Sequence, residues 1–180
     1  MNSYAWADTA YDLSWTLAVI QGRTEDEVRA GYGADQEVSK LTFEQANAER
    51  TEHLDDYGLV QFKAVDDYIV VIEPNGWVGN APEVARKLSS PTGLFFSVYW
   101  SPSGHQILQA TGGQITGRFD PTFIGLPAGA NDMLPGWVGD DEFDLEHLRS
   151  ASLAAVERQT GLAFDPAWLT DPLPTYRVSA

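Results

Sequence analysis

The sequence predicts an α+β fold: a mainly antiparallel sheet of about five strands flanked by N- and C-terminal helices, in one domain spanning residues 1–180. Three observations predict it. Capped helical segments sit at both ends of the chain. Apolar, β-branched and aromatic runs sit in the middle, separated by short turn signals. No Pro/Gly/Ser-rich stretch is long enough to act as a linker between two domains.

Taken in order, Trp6, Leu13, Leu17 and Ile20 recur at helical intervals, with Ala10, Ala18 and Val19 as apolar filling, and predict a first helix ending at Gln21-Gly22. Thr24 and Glu27 form a capping-box pattern opening a short helix stopped by Gly31 and Gly33. Residues 34–41 read as a loop or short extended piece. Thr42 and Gln45 repeat the capping box for a helix through Leu54, whose Glu and Gln content predicts a largely solvated outer face.

The pattern then turns to β. Leu59–Val65 and Tyr68–Ile72 predict a hairpin turning at Asp66-Asp67, with the second run a central strand. Glu73-Pro-Asn-Gly76 is a turn, because Pro pre-sets φ and Asn-Gly admits left-handed backbone. Asn80-Ala-Pro-Glu83 predicts a helix capped by Asn80 and running to about Leu88. Leu94–Trp100, His105–Thr111 and Gln114–Phe119 form a three-strand meander. Adjacent strand residues face opposite sides, so Phe95 and Phe96 predict apolar surface on both faces of the sheet. Asp144–Gln159 reads as a helix with Leu145, Leu148, Leu153 and Val156 facing inward, and Asp165-Pro166 opens a last short helix before an extended tail.

Net charge is −15. Residues 1–67 hold 14 acids and 5 bases, net −9; residues 68–131 hold 3 of each; residues 132–180 hold 9 acids and 3 bases, net −6. Such a field repels nucleic acid and anionic membrane and attracts basic partners. With no cysteine, disulfides, thiol catalysis and cysteine-based zinc sites are excluded. The N-terminal residues carry no secretory pattern, which predicts a cytoplasmic protein.

Residue patterns for catalysis are missing: there is no G-x-S-x-G elbow, no phosphate loop and no dinucleotide fingerprint. His53, His105 and His147 lie far apart in sequence, without metal-ligand spacing, and Ser103 beside His105 does not make a triad. No cofactor or metal is predicted. The run Asp140, Asp141, Glu142, Asp144 suits a helix start, with a basic partner or a hard cation as alternatives. Gly76-Trp-Val-Gly79 recurs as Gly136-Trp-Val-Gly139, each preceding a predicted helix.

Two functional expectations follow. One is a non-enzymatic interaction module of the immunity or inhibitor type, binding a basic protein through its acidic flanks, with Asp140, Asp141, Glu142 and Asp144 as candidate contacts. The other is a small-molecule binder or enzyme with a pocket built from Glu73, Asn75, Trp77, Trp100 and His105. In that pocket Glu73, at the end of an apolar strand, is either a desolvated functional carboxylate or the acceptor for its own turn's N–H groups.

Tyr4-Ala-Trp-Ala-Asp8, Glu73-Pro-Asn-Gly-Trp77, Leu88-Ser89 and Val98-Tyr-Trp100 resemble an uncharacterised family of small acidic actinobacterial proteins. The resemblance covers about Tyr4 to Leu169. It implies a bacterial cytoplasmic single domain, and it brings no activity, cofactor or catalytic residue with it.

Overall fold

The computed structural model describes residues 4–9, 14–124, 133–139 and 143–179. Its elements in chain order are α1 (Ala5–Thr9), β1 (Trp15–Gln21), α2 (Glu25–Tyr32), β2 (Gln36–Leu41), α3 (Phe43–Glu52), β3 (Tyr57–Val65), β4 (Tyr68–Pro74), α4 (Pro82–Ser89), β5 (Leu94–Ser101), β6 (Gly104–Thr111), β7 (Gln114–Phe119), α5 (Leu148–Thr160), α6 (Ala167–Thr170) and β8 (Leu173–Ser179). One-turn 3-10 helices cover Val78–Asn80, Pro121–Phe123 and Leu145–His147. The strands form one eight-stranded sheet in the order β2-β8-β3-β4-β1-β5-β6-β7, with every pairing antiparallel.

The α+β class and the antiparallel sheet are therefore as expected, but the sheet has eight strands rather than about five. The first correction is β1. Trp15-Thr-Leu-Ala-Val-Ile20 is a central strand between β4 and β5, not the second half of a helix, and all six residues are buried. A strand covered on both faces reads as a continuous apolar run, and such a run also satisfies helical spacing. Ala10 and Leu13, used for the helical reading, lie outside the described residues.

The second correction is the extended tail, which is the interior strand β8 between β2 and β3. Pro174 is tolerated there because β3 pairs with β8 only over Thr175–Ser179, so the missing N–H robs no β3 carbonyl. The third is β2, an edge strand with a polar sequence and an irregular register between Glu37 and Ser39.

The helices divide between the two faces. Trp15, Leu17, Val70, Ile72, Phe96, Val98, Trp100 and Ile107 form one apolar face, covered by Tyr4 and Ala7, Phe43, Leu153, Val156, Trp168 and Leu169. Ala18, Ile20, Phe62, Ile69, Val71, Phe95 and Leu108 form the other, covered by Val28 and Tyr32 of α2 and by Val84, Ala85 and Leu88 of α4. Phe95 and Phe96 thus serve different cores. Both capping boxes close as the sequence predicts, and α2 ends on Gly33 at φ 68°.

Two end signals behave differently. Ala81, not Asn80, is the N-cap of α4; the Asn80 amide donates instead to Gln106 Oε1 at 2.8 Å. Leu145 is 65 % exposed rather than inward-facing, because it belongs to the 3-10 turn before α5. Among the described residues no helix is long and apolar enough to cross a membrane.

Candidate functional site

The site grows from the end of β4. Strand alternation places Glu73 on the same face as Ile69 and Val71, opposite Thr16 of β1. Pro74 ends the strand, and Asn75 takes φ 48°, a left-handed conformation that Asn adopts more readily than most residues. The turn is pinned to β1 twice: Asn75 N–H donates to Ser14 O at 2.8 Å, and Thr16 Oγ1 donates to Gly76 O at 2.7 Å.

The chain then folds back so that its own amides meet the buried carboxyl. Val78 N–H donates to Glu73 Oε2 at 2.8 Å and Gly79 N–H to Glu73 Oε1 at 2.6 Å. Position 79 must be glycine, because a Cβ there would stand 2.5 Å from Glu73 Oε1 and closer still to the Tyr32 hydroxyl. Glu73 thus accepts the turn's N–H groups, as one sequence alternative has it, and it does so while buried.

Burial raises the Glu73 pKa to about 8, outweighing the two N–H donors, which lower it. At neutral pH the group is mostly a neutral acid. Beside it, the buried Tyr32 hydroxyl has no hydrogen-bond partner among the described residues. Its pKa is pushed well up, first by burial and then by the Glu73 charge.

The buried Glu73 lines a pocket of about 110 Å³ at the strand ends where β3 begins and β8 ends. Leu54, Leu59, Val78 and Val178 supply apolar lining, Arg50 supplies a guanidinium, and Trp77 stands beside the opening. Trp77 is 63 % exposed, a large indole left in solvent next to an apolar cleft. A wider hollow of about 670 Å³ lies at the opposite end of β1. Its polar groups already bond one another: Gln21 to Asp67 at 2.6 Å, Arg23 to Glu27 at 3.3 Å and Arg23 Nε to Leu88 O at 3.0 Å.

Of the residues the sequence singled out, Glu73 and Trp77 come together in the smaller pocket, and Asn75 shapes the turn without lining it. Trp100 and His105 do not join them, which corrects the predicted constellation. Glu73 pairs with Thr16 and Trp100 with Trp15, and the neighbours Trp15 and Thr16 point to opposite faces. Trp100 is fully buried edge-on against Trp15, with ring centroids 4.2 Å apart. His105 pairs with Trp100 across β5 and β6. Its pKa is lowered mainly by burial, while Asp120 pulls it up and Arg149 pushes it down.

Asp144 is a local cap, accepting the Glu146 N–H at 3.0 Å, whereas Asp140, Asp141 and Glu142 lie outside the described residues. The two Gly-Trp-Val-Gly copies diverge. Trp137 packs on Phe96 and Phe119 and donates Nε1–H to Gln109 Oε1 at 3.0 Å, while Trp77 stays exposed. His53 pairs with Asp56 at 3.1 Å and His147 lies 3.5 Å from Asp8. Among the described residues no group of three or more His, Asp or Glu converges as metal ligands.

Sequence reasoning missed Arg50 and Tyr32. Arg50 stands in a helix whose outer face reads as largely solvated, and Phe43, Ala46 and Arg50 are its buried residues. Their spacing of three and four is the signal that places Arg50 on the inner stripe.

The chain was compared with family models, curated proteins and solved structures, and nothing matches it.

Proposed function

We propose that this is a small-molecule-binding protein whose ligand enters the pocket between Glu73, Arg50 and Trp77. The observation that carries the reading is one apolar cleft lined by both a buried carboxyl, Glu73, and an exposed indole, Trp77. An apolar pocket with a few convergent polar groups, one of them strongly perturbed, is the common form of a ligand site.

A screen of small metabolite-like compounds by thermal denaturation tests it. A ligand at about ten times its Kd should raise Tm by about 3 °C in the wild type, and Trp77→Ala should abolish the rise. A screen without a stabilising compound, or a stabilisation unchanged in Trp77→Ala, counts against the pocket.

The acidic exterior supports a second reading, an immunity- or inhibitor-type module for a basic protein. The exposed carboxylates of Glu52, Asp55 and Asp56 neighbour the exposed Leu54, which shares the pocket wall with Trp77. Such a surface would speed association at low salt and lose that advantage as salt rises. A pull-down that retains no specific protein at low or moderate salt removes this reading.

A further inference from the structure

Arg50 is 5 % exposed, and among the described residues it has no carboxylate partner. Its Nη1–H donates to His53 O at 2.9 Å, and Nε is buried with nothing to bond. The acids nearest in sequence are committed elsewhere or, like Glu52 and Asp55, exposed to solvent. Glu49 accepts from Tyr57 at 3.0 Å and pairs with Arg177 at 3.6 Å, and Asp56 pairs with His53. Glu73 shares the pocket but makes no ion pair with Arg50; its oxygens take the amides of Val78 and Gly79. A buried guanidinium without a counter-charge is costly, and buried charges in folded proteins are as a rule paired.

We propose that the pocket takes a small monocarboxylate with a short apolar body, its carboxylate pairing with the Arg50 guanidinium and its body lying among Leu54, Leu59, Val178 and Trp77. The inference rests on the ligand-binding reading above. Three features select this class. The guanidinium calls for a planar anion that can take parallel N–H bonds. The apolar walls favour a hydrocarbon body over a phosphate. The volume of about 110 Å³ lies well below the roughly 300–1,000 Å³ of pockets for drug-sized ligands, which suits a small body. A cation is disfavoured, because the Arg50 guanidinium only donates hydrogen bonds and the Glu73 oxygens already accept from Val78 and Gly79. The exposed acids outside the pocket are screened over about 8 Å at physiological ionic strength and do not cancel a contact pair.

The test compares sodium butyrate, 1-butanol and butylammonium chloride at about 10 mM and matched ionic strength, a range that detects millimolar binding. Thermal denaturation is followed in the wild type, Arg50→Gln, Arg50→Lys and Trp77→Ala. Butyrate should raise the wild-type Tm by about 3 °C, the alcohol and the amine by less than a third of that, and Arg50→Gln should lose the rise. Should Arg50→Gln fail to fold, Arg50→Lys decides: it keeps the charge but not the parallel N–H pair, so a smaller rise supports the proposal and an undiminished one overturns it. An equal rise with butanol, lost in Trp77→Ala, leaves the pocket standing and overturns the carboxylate. A butyrate effect that persists in Arg50→Gln, or no rise with butyrate, also overturns it, whatever the wider screen finds.

Discussion

The wild-type protein should lose stability as pH rises from about 5 to about 8, and Glu73→Gln should not. The folded-state pKa of Glu73 is raised from 4.5 to about 8. Between those values the folded protein holds a proton that the unfolded chain has released. The contribution is therefore fully present below the unfolded value and is lost as pH climbs through the folded one. The slope is about 1.4 kcal/mol per pH unit, which accumulates to a loss on the order of 4 kcal/mol across the window. Glutamine is neutral throughout, so its curve lacks this slope. It also gives up one acceptor to the amides of Val78 and Gly79, so the variant is less stable than wild type near pH 5, and the gap should close or reverse near pH 8.5. Urea denaturation at intervals from pH 5 to 8.5 measures both curves. Parallel curves would mean that Glu73 ionises in the folded protein as it does in water.

Trp100→Ala should destabilise the protein by about 3–5 kcal/mol, the range for deleting a buried aromatic, while Trp77→Ala should change stability by less than about 0.5 kcal/mol. The two tryptophans look alike as strand-and-turn aromatics, but their surroundings are opposite. Trp100 is fully buried edge-on against Trp15 in the centre of one core, and Trp15 in turn packs on Phe43 at 5.4 Å between centroids. Removing the indole leaves a cavity beside Trp15 of β1 and under Arg149 of α5 that a sheet held on both sides cannot close. Trp77 stands in solvent, and truncating it removes little packing. Denaturant midpoints with an unchanged m-value would measure the pair, and a Trp77→Ala loss comparable to that of Trp100→Ala would place Trp77 in the fold rather than at a site.

These expectations show where sequence patterns carry structural information and where they lose it. Thr24 with Glu27 and Thr42 with Gln45 are local chemistry, complete within four residues, and both helices begin where those residues predict. The β5–β6–β7 meander was readable for the same reason, because its turns lie between the runs they join. Asp66 at φ 51° likewise fits the hairpin turn read from Asp66-Asp67.

What failed was non-local. Trp15–Ile20 is apolar at every position, so its period does not separate helix from doubly covered strand; only the presence of β4 and β5 on its two sides decides. The polar sequence of β2 and the proline of β8 give no strand signal, because their pairing depends on each other and on β3 across more than a hundred residues.

The candidate site divides the same way. Glu73, its turn and Trp77 are contiguous, and Glu73-Pro-Asn-Gly-Trp77 marked them. Arg50 reaches the pocket from α3 and Tyr32 approaches Glu73 from α2, by tertiary packing. The sequence does not show which sheet face Trp100 and His105 take, and the one-residue offset between Trp15 and Thr16 on β1 separates them from the pocket.

The measurement that bears most directly on the ligand pocket is a ¹H–¹⁵N spectrum of the six tryptophan indoles, recorded with and without the strongest ligand from the thermal screen. Assignment of the Trp77 indole needs one variant, Trp77→Ala. The account predicts a saturable shift of the Trp77 resonance, with the resonances of Trp15 and Trp100, fully buried and outside the pocket lining, left in place. A Trp77 resonance that does not move while the ligand stabilises the protein would contradict it and send the site elsewhere on the molecule.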